Sequence, residues 1–166
     1  AYSPAEIKQA IEKVGVRKTR LPLVASFMLA VIAGGSIGLG ALYYTVVVSD
    51  ADLSFAAARV LGGLAFTLGL SIVMVAGAEL FTGNNLIVMA WASGDVSTRE
   101  VLRNWGVVYL GNLAGSVGLV ALVFFSHHID MNGGRVGLSI LNTAVTKIQP
   151  DAMTLFFKGV LCNLLV

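Results

Sequence analysis

The sequence predicts an all-α integral membrane bundle whose second long helix is broken, and three observations lead there. First, 57% of the 166 residues are hydrophobic and only 12% are charged. The mean hydropathy is +0.85, whereas soluble domains carry about 45–50% apolar residues. Second, the apolar runs Leu21 to Val48, Ala56 to Ala92 and Trp105 to Ser126 are each long enough to cross a hydrocarbon core at about 20 residues per helix. Third, the middle run is far longer than one straight span needs and holds polar residues at its centre, so something must interrupt it.

In chain order, residues 1–20 make an amphipathic N-terminal helix and 21–166 a transmembrane domain, with spans at about 21–48, 56–79 plus 84–93, 104–126 and 152–166. Ser3, Pro4 and Glu6 read as N-cap, first-turn proline and capping-box partner of a helix in which Ile7, Ala10, Ile11 and Val14 share one face. That helix either lies on the membrane surface or packs under the bundle. Lys8, Lys13, Arg17, Lys18 and Arg20 all precede the first span, and the short-loop bias of basic residues puts this end of a multi-pass membrane protein in the cytoplasm. The Ser49 to Asp52 turn and the segment His127 to Gln149 are then external, and Gly94 to Arg103 is cytoplasmic. Gly34 and Gly38, like Gly111 and Gly115, stand four apart, the small-xxx-small spacing that lets helix backbones approach closely in lipid.

The fourth run begins near Met153 and amounts to about two-thirds of a span, from which the chain is expected to be incomplete. The first 20 residues lack the apolar stretch and small-residue cleavage site of a secretory leader, so none is expected. A single cysteine, Cys162, excludes an internal disulfide framework. Scattered basic residues at a net charge of +2 exclude a nucleic-acid footprint.

The interruption of the middle run is legible at Gly77-Ala78-Glu79-Leu80-Phe81-Thr82-Gly83-Asn84-Asn85. Non-helical backbone is tolerated at membrane depth only where it is buried in protein or lines a wet cavity. A restarting helix also exposes backbone N–H groups with partial positive charge, which suits an anion. Thr82 offers a hydroxyl there, and Asn84 and Asn85 can cap the restarting helix or donate to a ligand. Gly77 and Gly83 permit the loop. An ionised Glu79 would repel an anion, so it reads as a structural acceptor for loop N–H groups or as a protonated acid. Phe66, Leu70, Leu80 and Phe81 are, by periodicity, ordinary apolar positions that can also form dry constrictions around a polar centre.

At Val75-Ala76-Gly77-Ala78-Glu79-Leu80-Phe81-Thr82-Gly83 the sequence resembles the first signature of the formate/nitrite transporter family. At Gly159-Val160-Leu161-Cys162-Asn163-Leu164-Leu165-Val166 it resembles most of the second. Asn104-Trp105 and Gly111-Asn112 lie between them, in the third span. The resemblance implies an aquaporin-like protomer of six helices in two inverted three-helix repeats, assembled as a homopentamer in the lipid bilayer, each protomer with its own pore for a small monovalent anion such as formate or nitrite. It implies that Thr82 stands at the pore and that Phe66, Leu70, Leu80 and Phe81 are its constrictions. The pore histidine of the family has no counterpart here, because most of the second repeat is missing. Lys158, one turn before Cys162-Asn163 in an apolar helix, is the candidate for a lysine that attracts the anion, with snorkelling to the interface as the alternative. Asn163 is expected to hydrogen-bond the opposing broken helix.

No cofactor is expected. His127 and His128 are adjacent and point in different directions on a helix, a poor start for a metal or haem site. No set of nucleophile, base and acid suggests catalysis. The competing readings are a neutral-solute pore of the aquaporin type, disfavoured by the lack of Asn-Pro-Ala boxes, and a non-transporting membrane anchor of a redox complex.

Overall fold

The computed structural model describes residues 2–50 and 52–165. Ala1 of the predicted N-terminal helix, Ala51 of the predicted external turn and Val166, last residue of the second signature and fourth span, lie outside the described residues. Among the described residues every regular element is helical. They run α1 (Pro4–Thr19), α2 (Leu23–Val48), α3 (Phe55–Ala76), α4 (Phe81–Asn84), α5 (Ile87–Ala92), α6 (Thr98–Phe125), a 3-10 turn (His128–Asp130), α7 (Arg135–Ile148) and α8 (Ala152–Leu165). Helices α2, α3 and α6 are 26, 22 and 28 residues long and apolar enough to cross a membrane. Two compact units share them: residues 1–35 with 73–116, and residues 36–72 with 117–166.

The first unit begins with the capping box of α1. The Ser3 N–H donates to Glu6 Oε2 at 2.7 Å and the Glu6 N–H to Ser3 Oγ at 3.4 Å. Hydrogen bonding to the Ser3 backbone N–H first, and to the Ser3 side chain second, holds the Glu6 carboxyl below the usual carboxylate range. α1 packs on α5, and the face it uses differs from the apolar one in the sequence. Ile7 and Val14 stay exposed, whereas Gly15 and Thr19 are buried. The reason is contact distance: Gly15 lies so close to Ala90 that a Cβ on it would stand 3.0 Å from the Ala90 Cβ. Ile87, Ala90, Val96 and Val101 form the core here, with Val16 and Trp105 packed against it. α2 and α6 cross in direct backbone contact. A Cβ on Gly34 would collide with the Asn112 carbonyl, and one on Gly115 with the Val31 carbonyl.

In the second unit α2 and α3 cross at another glycine pair. A Cβ on Gly40 would come within 2.7 Å of the Phe66 carbonyl oxygen, and one on Gly69 within 2.7 Å of the Ser36 carbonyl oxygen. Arg59 donates to the Tyr44 hydroxyl at 2.8 Å and covers the Phe55 ring. The segment after α6, expected only as an external stretch, folds into the 3-10 turn and α7. His127 pairs with Asp130 at 3.3 Å inside that turn.

Candidate functional site

The break in the middle run is made by two backbone devices. At the end of α3 the Gly77 N–H bonds to the Met74 carbonyl at 3.3 Å and the Ala78 N–H to the Val73 carbonyl at 3.0 Å, the bond pair of a Schellman stop. Gly77 itself has φ +60, a conformation that suits glycine because it has no Cβ. The non-helical stretch is therefore residues 77–80, ahead of the 80–83 expected from the sequence, because Gly77 is the residue able to turn the chain. Leu80 is extended, and helix resumes at Phe81.

The restarting helix is capped from another segment. Asn112 on α6 accepts from the Phe81 N–H at 2.9 Å and donates to the carbonyls of Glu79, at 2.9 Å, and Ala30, at 2.8 Å. The capping expected of Asn84 or Asn85 thus falls to Asn112. Asn84 lies at the end of α4 and has no contact with solvent.

Asn84 belongs instead to a closed polar network around Glu79. The Lys18 ammonium lies 2.8 Å from Glu79 Oε1 and 2.9 Å from Asn84 Oδ1. The Asn84 amide donates to Glu79 Oε2 at 2.7 Å and to Asn104 Oδ1 at 2.9 Å. The Asn104 amide in turn donates to the Lys18 carbonyl at 3.3 Å, and the Trp105 indole N–H to the Asn84 carbonyl at 3.1 Å. Glu79 is an acceptor, as expected, but its side-chain partners are a lysine and an amide where loop N–H groups were anticipated. Both charges are neutralised within hydrogen-bonding distance, the condition under which a desolvated pair is tolerated.

The remaining candidates are divided between the two units. In the first, Leu80, Phe81, Thr82 and Gly83 are all partly buried. The Phe81 ring is pinned edge-on by Tyr109, at 5.5 Å between centroids, and by Trp105, at 6.3 Å. Among the described residues the Thr82 hydroxyl has no hydrogen-bond partner. In the second unit Phe66 and Leu70 stand one turn apart on α3, both exposed. Lys158 and Asn163 are exposed on α8 and, five residues apart, point about 140° away from each other. The Asn163 amide donates to the Gly159 carbonyl of its own helix at 2.9 Å and faces a shallow groove between Phe156 and Val160.

Lys18, Asn104, Asn112 and Trp105 carry the geometry of the break and were not singled out as site residues from the sequence. A signal existed for Lys18: a carboxylate within a span calls for a named cation. Lys18 had been counted only toward the charge bias of the N-terminal end.

This chain is similar to known proteins. The family profile described as formate/nitrite transporter matches residues 5–166. The formate channel FocA of Haemophilus influenzae is 35% identical over 167 residues, covering 100% of this chain and 59% of that protein. The nitrite transporter NirC of Escherichia coli is 34% identical over 140 residues, covering 81% of this chain and 49% of its own. A solved pentameric formate channel with formate bound superposes with a TM-score of 0.80 at 41% identity, over 85% of this chain and 56% of that one. The chain therefore spans about half to three-fifths of the length of these relatives.

Proposed function

This chain belongs to the formate/nitrite transporter family, and from that premise we propose that it forms part of a membrane passage for a small monovalent anion, formate or nitrite. The observation that carries the proposal is the contrast at the break. Glu79, Asn84, Asn104 and Asn112 are held by partners within the protein, while the Thr82 hydroxyl beside them has none among the described residues. Thr82 is the group left to meet a ligand. Asn84 serves the passage as part of its frame, since its amide is already committed. The Lys18–Glu79 pair removes the objection to a carboxylate beside an anion path, because at 2.8 Å the two charges cancel.

Phe66, Leu70, Leu80 and Phe81 are the proposed constrictions, with Gly77 turning the chain ahead of Leu80 and Gly83 following Phe81 within α4. A bare ion entering an apolar constriction loses solvation on the order of tens of kcal/mol, and its conjugate acid far less, which favours passage coupled to a proton. Lys158 and Asn163 are proposed to serve the second half of the passage, Lys158 by raising the local anion concentration. Assembly as a homopentamer follows the solved formate channel similar to this chain. The cytoplasmic N-terminus rests on Lys8, Lys13, Arg17, Lys18 and Arg20 ahead of α2, and the inner membrane on membership of the family.

Flux of formate and nitrite into proteoliposomes tests the reading. Thr82→Val and Lys158→Met are each expected to reduce flux severalfold, in line with the loss of one hydrogen bond or charge at a desolvated site. Undiminished flux in the double variant overturns the assignment. Water or glycerol permeation without anion flux replaces it with a neutral-solute pore, and a haem absorbance band with a redox anchor.

A further inference from the structure

The stretch between α6 and α8 holds an element that anion passage does not use. α7 has 14 residues, about 21 Å at 1.5 Å per residue, and is too short for a hydrocarbon core of about 30 Å. One side of it is covered: Val136 is fully buried, and Gly137 seats against Ile129 of the 3-10 turn. On another side Leu138, Leu141, Val145 and Ile148 form a stripe at i, i+3, i+7 and i+10, between 45% and 78% exposed. Directly beside that stripe runs an exposed polar edge of Arg135, Asn142 and Thr146, and Lys147 adds a second cation in the last turn.

The path of the chain names the occupant of the stripe. Residues 126–134 tie α7 to the end of the apolar span α6, where Phe124 and Phe125 are exposed, and residues 149–151 tie it to the apolar helix α8. Both ends are thus held near one membrane surface. There a helix split lengthwise into apolar and polar edges lies in the plane of the interface, its apolar side about 5–10 Å into the headgroup and acyl boundary. We propose that α7 is such an interfacial anchor, with the Leu138 to Ile148 stripe among the acyl chains and Arg135 and Lys147 beside lipid phosphates. This rests on the membrane embedding of α6 and is independent of the identity of the anion.

Spin labels test it on the full chain in phospholipid nanodiscs, in a Cys162→Ser background, at Leu141→Cys and Ile148→Cys on the stripe and at Asn142→Cys and Thr146→Cys on the edge. Collision with oxygen, which concentrates in lipid, is expected to exceed collision with a water-soluble nickel chelate about threefold or more on the stripe, and the ratio to invert on the edge. A stripe open to the nickel chelate overturns the proposal, as does a stripe shielded from both reagents, which would mean that a second copy or another protein segment covers it. In the unsubstituted protein, a phospholipid carrying a shallow photoreactive group is expected to label residues 135–148. Labelling of the end of α6 without any on α7 overturns the anchor.

Discussion

The network at the break and the polar pair on α8 pose the same problem in two regions of the molecule and solve it differently. Each holds a lysine and an amide side chain. In the first unit Lys18 and Asn84 close on Glu79 and Asn104, so the polar atoms have partners within the protein. On α8 Lys158 is exposed and has no hydrogen bond or ion pair among the described residues. A closed network is costly to open, because removing one member strands another in a low-dielectric interior. An exposed lysine with no partner among the described residues can be replaced without stranding anything.

The sharpest way to break this contrast is a matched pair of lysine substitutions. Lys18→Met leaves the Glu79 carboxylate buried without a cation and is expected to cost about 3–5 kcal/mol, whereas Lys158→Met changes stability by less than about 0.5 kcal/mol. Thermal unfolding of the purified protein in detergent compares the two, and equal midpoints would erase the distinction. Adding Glu79→Leu to Lys18→Met is expected to recover part of the loss, since a desolvated pair is worth less than the penalty for breaking it.

An amide gives the next largest effect. Asn112→Ala removes the acceptor for the Phe81 N–H and the donor to two carbonyls, an expected loss of about 1–3 kcal/mol in the same melts. Gly77→Ala isolates the backbone contribution to the break. A Cβ there meets no atom within 4 Å, so its expected cost of about 1–2 kcal/mol comes from the left-handed φ alone.

The smallest effect lies at the start of α1, outside both polar regions. Glu6 is held below its usual range in the folded chain, so its contribution is present at pH above the ordinary carboxylate value and is lost as pH falls through the lowered one. Amide exchange in the first turn of α1 should therefore gain protection less steeply on titration from acid to neutral pH in Glu6→Gln than in the parent. Identical profiles would mean that the capping box is idle.

The unevenness of the break's legibility follows from the range of each signal. An acid, a threonine, two amides and two glycines inside an apolar run announced an interruption without any neighbour in view, and Gly77 marked where the chain could turn. The partners of Glu79 are 61 and 5 residues away in sequence, Lys18 and Asn84, and nothing local distinguishes Lys18 from the four other cations that precede α2. α7 was missed for a different reason. Alternation of the spans sets the side of the membrane for His127 to Gln149 and says nothing of its local structure, although its apolar positions recur at helical spacing.

The membrane class, the all-helical composition and the presence of a break were determined by the sequence alone, because hydropathy and the need to satisfy every backbone group in lipid act within a single helix. Which asparagine caps the restart, which lysine neutralises Glu79 and which face of α1 packs were decided only in the tertiary structure. Those choices depend on atoms brought within about 3 Å of each other from distant parts of the chain, where hydrogen-bond geometry selects one partner among several of the same type.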